Sequence, residues 1–148
     1  NKEVSHWDNS GAKNLYSYGV GSPPAEFDYA KLGETWSTPR IIRIKVSGVD
    51  KWVAVFGAGY NGTVNPDVGS AVFVMDLEDE GRLLQKIDIT DLTTSNIVNS
   101  IPADLTVITA NGTDKANYNG AMVYAADLEG KITKINLTNK DEKVADLI

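Results

Sequence analysis

One repeat limits what this chain can fold into more than any other feature. From Gly69 the sequence reads GSAVFVMDLEDEGRLLQKIDI, and from Gly120 it reads GAMVYAADLEGKITKINL. Both stretches run through a glycine, a short apolar segment with an aromatic, the tripeptide Asp-Leu-Glu, a second glycine and an alternating segment. The offset is about 50 residues, which suits a unit of a few short strands. β-branched and aromatic residues dominate these segments, and no amphipathic helical period accompanies them. Strands are predicted at 40–46, 51–56, 71–76, 82–89, 104–109, 121–126 and 131–137. Val53, Val55, Val72, Val74, Val123 and Ile135 are the expected core.

Segment 71–76 (AVFVMD) is apolar on both of its faces, as in a sheet stacked between neighbouring sheets. Repeated four-stranded units of this length are the mark of propeller blades. The expected fold is therefore all-β: antiparallel sheets over residues 36–148 resembling about two blades of a modified β-propeller. An irregular arm over residues 1–35 precedes them, with a short strand at 15–18 and a turn at 26–32. Two blades cannot close a propeller, and their outer faces and edges need cover. The chain is thus expected to be a piece of a larger protein, or to close by assembling with other chains. Trp7, Tyr16, Tyr18, Phe27 and Tyr29 of the arm are the candidate interface residues, because aromatics anchor interfaces. They either bridge to another chain or fold back over an open edge of this one. Trp36 and Trp52 are expected to pack inside, and Tyr60 to lie at the surface.

The stretch WVAVFGAGYNG, residues 52–62, has Gly57, Gly59 and Gly62 at the G-x-G-x-x-G spacing. A dinucleotide site also needs a helix opening at that loop. Residues 63–70 instead read TVNPDVGS, whose proline and glycine argue against a helix. The glycines are therefore read as turn and close-packing residues. There is no cysteine, which removes disulfides and thiolate chemistry, and His6 is the single histidine. The net charge is −6 with no basic cluster, which argues against nucleic acid and anionic membrane as partners. No apolar run is long enough to span a bilayer as a helix. Asp76, Glu78, Asp79 and Glu80 crowd one turn, and adjacent turn positions do not face each other across a substrate; they read as a solvated turn. No catalytic or metal-ligating set is expected.

Four pieces carry a resemblance. WSTPRI (36–41), WVAVFGAGYNG (52–62), AVFVMDLE (71–78) and VYAADLEGKITKINL (123–137) occur in the order found in the C-terminal domain of the PilY/PilC family. These are type IV pilus biogenesis factors and pilus-associated adhesins. The resemblance covers about residues 32–139. It implies a modified β-propeller at the bacterial cell surface or pilus tip, with roles in pilus assembly and adhesion through protein contacts, pilins among the partners, and no enzymatic activity. It also implies a calcium loop of alternating aspartates before the second repeat. Here that loop reads TANGTDKANYNG (109–120), with Asp114 its single carboxylate and Lys115 beside it, so calcium is not the expected cofactor. Two other readings suit a propeller-like chain: a fragment of a quinoprotein-type enzyme, for which no carboxylate-held cofactor pocket is legible, and a periplasmic scaffold.

Overall fold

The computed structural model describes residues 3–7, 13–17, 25–60, 68–90, 99–109, 121–138 and 145–147. Strands β1 (Glu3–Trp7) and β2 (Lys13–Ser17) form a hairpin, and a single 3₁₀ turn follows at Ala25–Phe27. The first large sheet is a meander of β3 (Arg40–Val46), β4 (Val49–Gly57), β5 (Ala71–Asp76) and β6 (Leu83–Asp88), antiparallel throughout. The second is a meander of β7 (Thr106–Thr109), β8 (Ala121–Ala126), β9 (Ile132–Asn136) and the short β10 (Ala145–Leu147). The fold is thus all-β, and each sheet has the strand order of a blade.

Local chemistry explains the tight joints. Ser47 and Gly48 join β3 to β4, and both have positive φ, 52° and 80°. A two-residue turn with both residues left-handed matches the twist of the strands it links. It sets the register Val46↔Val49 through Arg40↔Val55. Between β5 and β6 the ladder slips by one residue at Val74/Met75.

The core has two parts. Ile42, Ile44, Val53, Val55, Val72, Val74 and Ile87 of the first sheet share one cluster with Val123, Ala125, Ile135 and Leu137 of the second, so this core lies between the sheets. All six residues expected in the core are at most 2% exposed. The other face of the first sheet buries Ala54, Phe56, Ala71, Phe73 and Leu83, together with Tyr29.

The two sheets start from the same end. The Thr38 N–H donates to the Asp104 carboxylate at 2.6 Å, and Arg40 Nε donates to the Leu105 carbonyl at 3.2 Å. These contacts join the starts of β3 and β7. The sequence repeat is one strand out of step with this arrangement. Its two copies occupy the third and fourth strands of the first sheet but the second and third of the second. Their Asp-Leu-Glu turns therefore lie at opposite ends of the stack: Lys131, just past the second turn, reaches the Ile89 carbonyl beyond β6 at 3.2 Å. The repeated unit is a hairpin rather than a whole sheet.

The glycines of the 52–62 stretch serve a backbone junction. The Gly33 N–H donates to the Ala58 carbonyl at 2.7 Å, and Glu34 and Tyr60 exchange bonds of 2.8 and 2.9 Å. The Gly59 N–H donates to Ile101, the Ile101 N–H to Gly69, and the Gly69 N–H to Lys31. A Cβ on Gly59 would stand 2.4 Å from the Glu34 carbonyl oxygen, and one on Gly69 would stand 2.4 Å from that of Gly59. Residues 31–35, read as part of the irregular arm, are thus tied into the first sheet. Trp36, expected inside, is 69% exposed; only its N–H is engaged, by the Pro102 carbonyl. Trp52 is half-buried, with the Arg43 guanidinium 6.0 Å from its ring.

Gly59→Ala should destabilise the chain by about 2 kcal/mol or more, since it combines left-handed strain with a backbone collision. Gly130→Ala, at φ 83° in open space, should cost about 1 kcal/mol from the backbone alone. Equal shifts of the two variants in chemical denaturation would show that the junction is not close-packed.

Candidate interaction surfaces

The two Asp-Leu-Glu turns are locks, and Asp76 is not the solvated residue expected. Asp76 is 1% exposed. Its carboxylate accepts the Glu78 N–H at 2.8 Å and the Lys51 ammonium at 3.0 Å. Asp127 accepts the N–H groups of Glu129 and Lys131 at 3.0 and 2.9 Å, and Asn99 Nδ2 at 2.9 Å. A short side chain two residues ahead of the N–H it binds closes an Asx turn. Burial is tolerated because the carboxylate oxygens meet donors. Glu78 is engaged by the Trp52 N–H, and Asp79 by Arg82 at 3.4 Å. These carboxylates are committed to holding turns, and among the described residues no group of three or more His, Cys, Asp or Glu could hold a metal. The 110–120 loop, where the calcium question falls, lies outside the described residues.

Residues 25–33 form a strap across the outer face of the first sheet. Phe27 and Tyr29, two of the candidate interface aromatics, point inward at 4% and 7% exposure. The Tyr29 ring stands 5.2 Å from Phe73, which stands 5.6 Å from Phe56, and both pairs are tilted. The Tyr29 hydroxyl donates to the Gly81 carbonyl at 2.7 Å, so its polar end is satisfied too. Arg82 lies over the Phe27 ring at 5.8 Å. Two ion pairs clip the strap to β6: Lys86 with Asp28, and Lys31 with Asp88, the Lys31 ammonium also reaching the Thr90 hydroxyl at 2.8 Å. These two aromatics cover this chain's own sheet. Trp7 and Tyr16 stand on the hairpin strands, and Tyr18 lies outside the described residues.

The second sheet offers a different surface. Its inward residues alternate with Ile108, Met122, Tyr124, Ala126, Ile132 and Lys134 on the opposite face. Ile108 and Ile132 are 55% and 54% exposed, high for isoleucines in paired strands. A cleft of about 260 Å³ also opens between β3 and β7, lined by Arg40, Ile41 and Ile42 on one side and Leu105, Thr106, Val107 and Thr109 on the other. Nothing in the sequence pattern located this cleft, because it depends on how two edge strands approach each other.

Fold and surfaces together define a class: an all-β chain of blade-like antiparallel meanders, with one sheet face covered by a strap and another left half-open. Among known proteins, it is similar to a type IV pilus biogenesis factor PilY1 homolog of Xylella fastidiosa (strain Temecula1), at 32% identity over 127 residues. The match takes in 74% of this chain and 7% of that protein's length. The similarity supports a distant PilY1-like relationship. No family model matches the chain, and no solved structure matches it with significance. Among the described residues, no helix is long and apolar enough to cross a membrane.

The strap should be acid-sensitive. Burial raises the Asp28 carboxyl, but the Lys86 hydrogen bond, the Ala30 N–H and the Lys86 charge outweigh it, leaving the group below its ordinary value of 3.8. Asp88 is likewise raised by burial and brought lower by Lys31 and Thr90. A depressed carboxyl stabilises the folded state above its unfolded value and loses that contribution as pH falls through the folded one. Strap docking should therefore hold down to the ordinary carboxylate value of 3.8 and weaken below it. Amide exchange at Leu32 and Gly33, compared with an Asp28→Asn/Asp88→Asn variant, checks this. Equal acid sensitivity in parent and variant would refute it.

Proposed function

We propose that this chain is a non-enzymatic module of a type IV pilus-associated protein, acting in pilus assembly or adhesion at the bacterial surface through protein–protein contacts. The observation that carries the pilus setting is the similarity to the PilY1 homolog, itself described as a pilus biogenesis factor. The geometry supports a contact module. The buried carboxylates Asp76 and Asp127 are spent on turn N–H groups, and the half-open face of the second sheet is apolar. The chain spans 7% of the relative's length, so the rest of such a protein is the first candidate partner, with pilins the second.

An antibody raised against the chain should label sheared pilus fractions of the native cells, and deleting its gene should reduce surface pili or attachment. Label confined to the cytoplasm, with pili and attachment unchanged, would overturn the pilus setting. Mass spectrometry of native material should find no bound quinone; finding one would overturn the non-enzymatic reading.

A further inference from the structure

The strap shows what covers a face of this kind. On the first sheet Phe73 is register partner to Lys86, and Met75 to Leu83. On the second, Tyr124 is register partner to Lys134, and Ala126 to Ile132. Once the extra residue at the β5–β6 slip is skipped, the two ladders put four pairs of positions at matching places: Phe73 with Tyr124, Met75 with Ala126, Leu83 with Ile132 and Lys86 with Lys134. Gly81, whose carbonyl accepts the Tyr29 hydroxyl, aligns with Gly130, and both have positive φ, 75° and 83°. The second sheet thus carries on its outer face the same receptor pattern that the first uses for its strap: an aromatic, an aliphatic, a lysine and a left-handed turn glycine.

The occupancy differs. On the first sheet, Phe73 is fully buried and Lys86 is paired with Asp28 of the strap. On the second, Tyr124 is half-buried, Ile132 is 54% exposed, and no carboxylate of a described side chain pairs with Lys134. Asp146 is its register neighbour on β10.

We propose that the outer face of the second sheet docks a strap-like segment of a partner protein, with an acidic residue between two aromatics. The aromatics would pack on Tyr124, Met122 and Ile132, and the carboxylate would meet Lys134. Charge complementarity selects the acidic residue, since Lys134 is the single cation among the described residues of this face. The only aromatic–acid–aromatic tripeptide in this chain is Phe27-Asp28-Tyr29, and its aromatics are already buried on the first sheet, so a second copy has none to offer. This rests on the reading of the chain as a contact module but not on its pilus setting. Binding by the purified chain decides the one, and location in cells the other.

The test titrates the full 148-residue chain, labelled at Ile and Met methyls, with a synthetic peptide of the strap sequence PAEFDYAKLG. Saturable shifts are expected at Met122, Ile108 and Ile132. Lys134→Glu should weaken binding about fivefold or more, the scale of a partly exposed ion pair, while Lys134→Arg should retain it. A peptide with Asp28→Asn should be weakened to a similar degree, which gives a readout independent of any change in the protein. Four results would overturn the proposal: no saturable shift at these methyls, shifts confined to Met75 and its neighbours as the peptide exchanges with the resident strap, equal affinity for the Lys134→Glu variant, or concentration-dependent shifts without peptide, which would mean that copies of the chain fill the face themselves.

Discussion

Four stretches of backbone meet closely at the exit of β4. Gly33, Gly57, Gly59 and Gly69 stand where a Cβ would come within 2.4–2.6 Å of a carbonyl oxygen of Tyr60, Ile101, Glu34 or Gly59. Backbone can approach backbone this closely only at glycine. The approach lets Lys31, Glu34, Ala58, Tyr60, Gly69 and Ile101 satisfy one another's N–H and C=O groups. Ser37 and Thr35 extend the network, Ser37 Oγ accepting the Gly57 N–H at 3.0 Å and Thr35 Oγ1 donating to the Gly57 carbonyl at 2.9 Å. The strap's direction, the path from β4 to β5 and the approach of the second sheet through residues 99–102 all pass through this junction.

Much of the fold was legible because β-branched and aromatic residues are dense in β3 to β9 and turn residues separate them. Their limits fall within two residues of the expected ones. The hairpin β1–β2 was legible only as a short strand at 15–18, since EVSHW and KNLYS are short and polar. The three-residue β10 was missed. The repeat was visible, but not that it falls one strand out of step, because a hairpin reads the same whichever pair of strands carries it.

Burial was the harder inference. Asp76 stands in a turn dense with acids, where composition suggests solvent, and Asp127 holds the same place in the second repeat. Their short carboxylates instead reach the N–H groups two residues on, a geometry that needs Asp at that position and leaves Glu78 and Glu129 to other donors. Trp36 erred in the opposite direction: a tryptophan beside a strand suggests core, yet the chain uses its N–H and leaves the indole outside. Phe27 and Tyr29 were read as candidate interface aromatics, and both are buried against this chain's own first sheet.

The strap also decides where a pull on the chain is felt. Tension applied ahead of residue 25 reaches the first sheet through two aromatic rings, two ion pairs and the bonds at Gly33 and Glu34. Each strand of the sheet is held by a longer ladder, as in the seven register pairs between β3 and β4. A strap that yields before the sheet would bare Phe56 and Phe73 while the strands are still intact. The covered face then behaves as a mechanical fuse, sticky only when the chain is under strain.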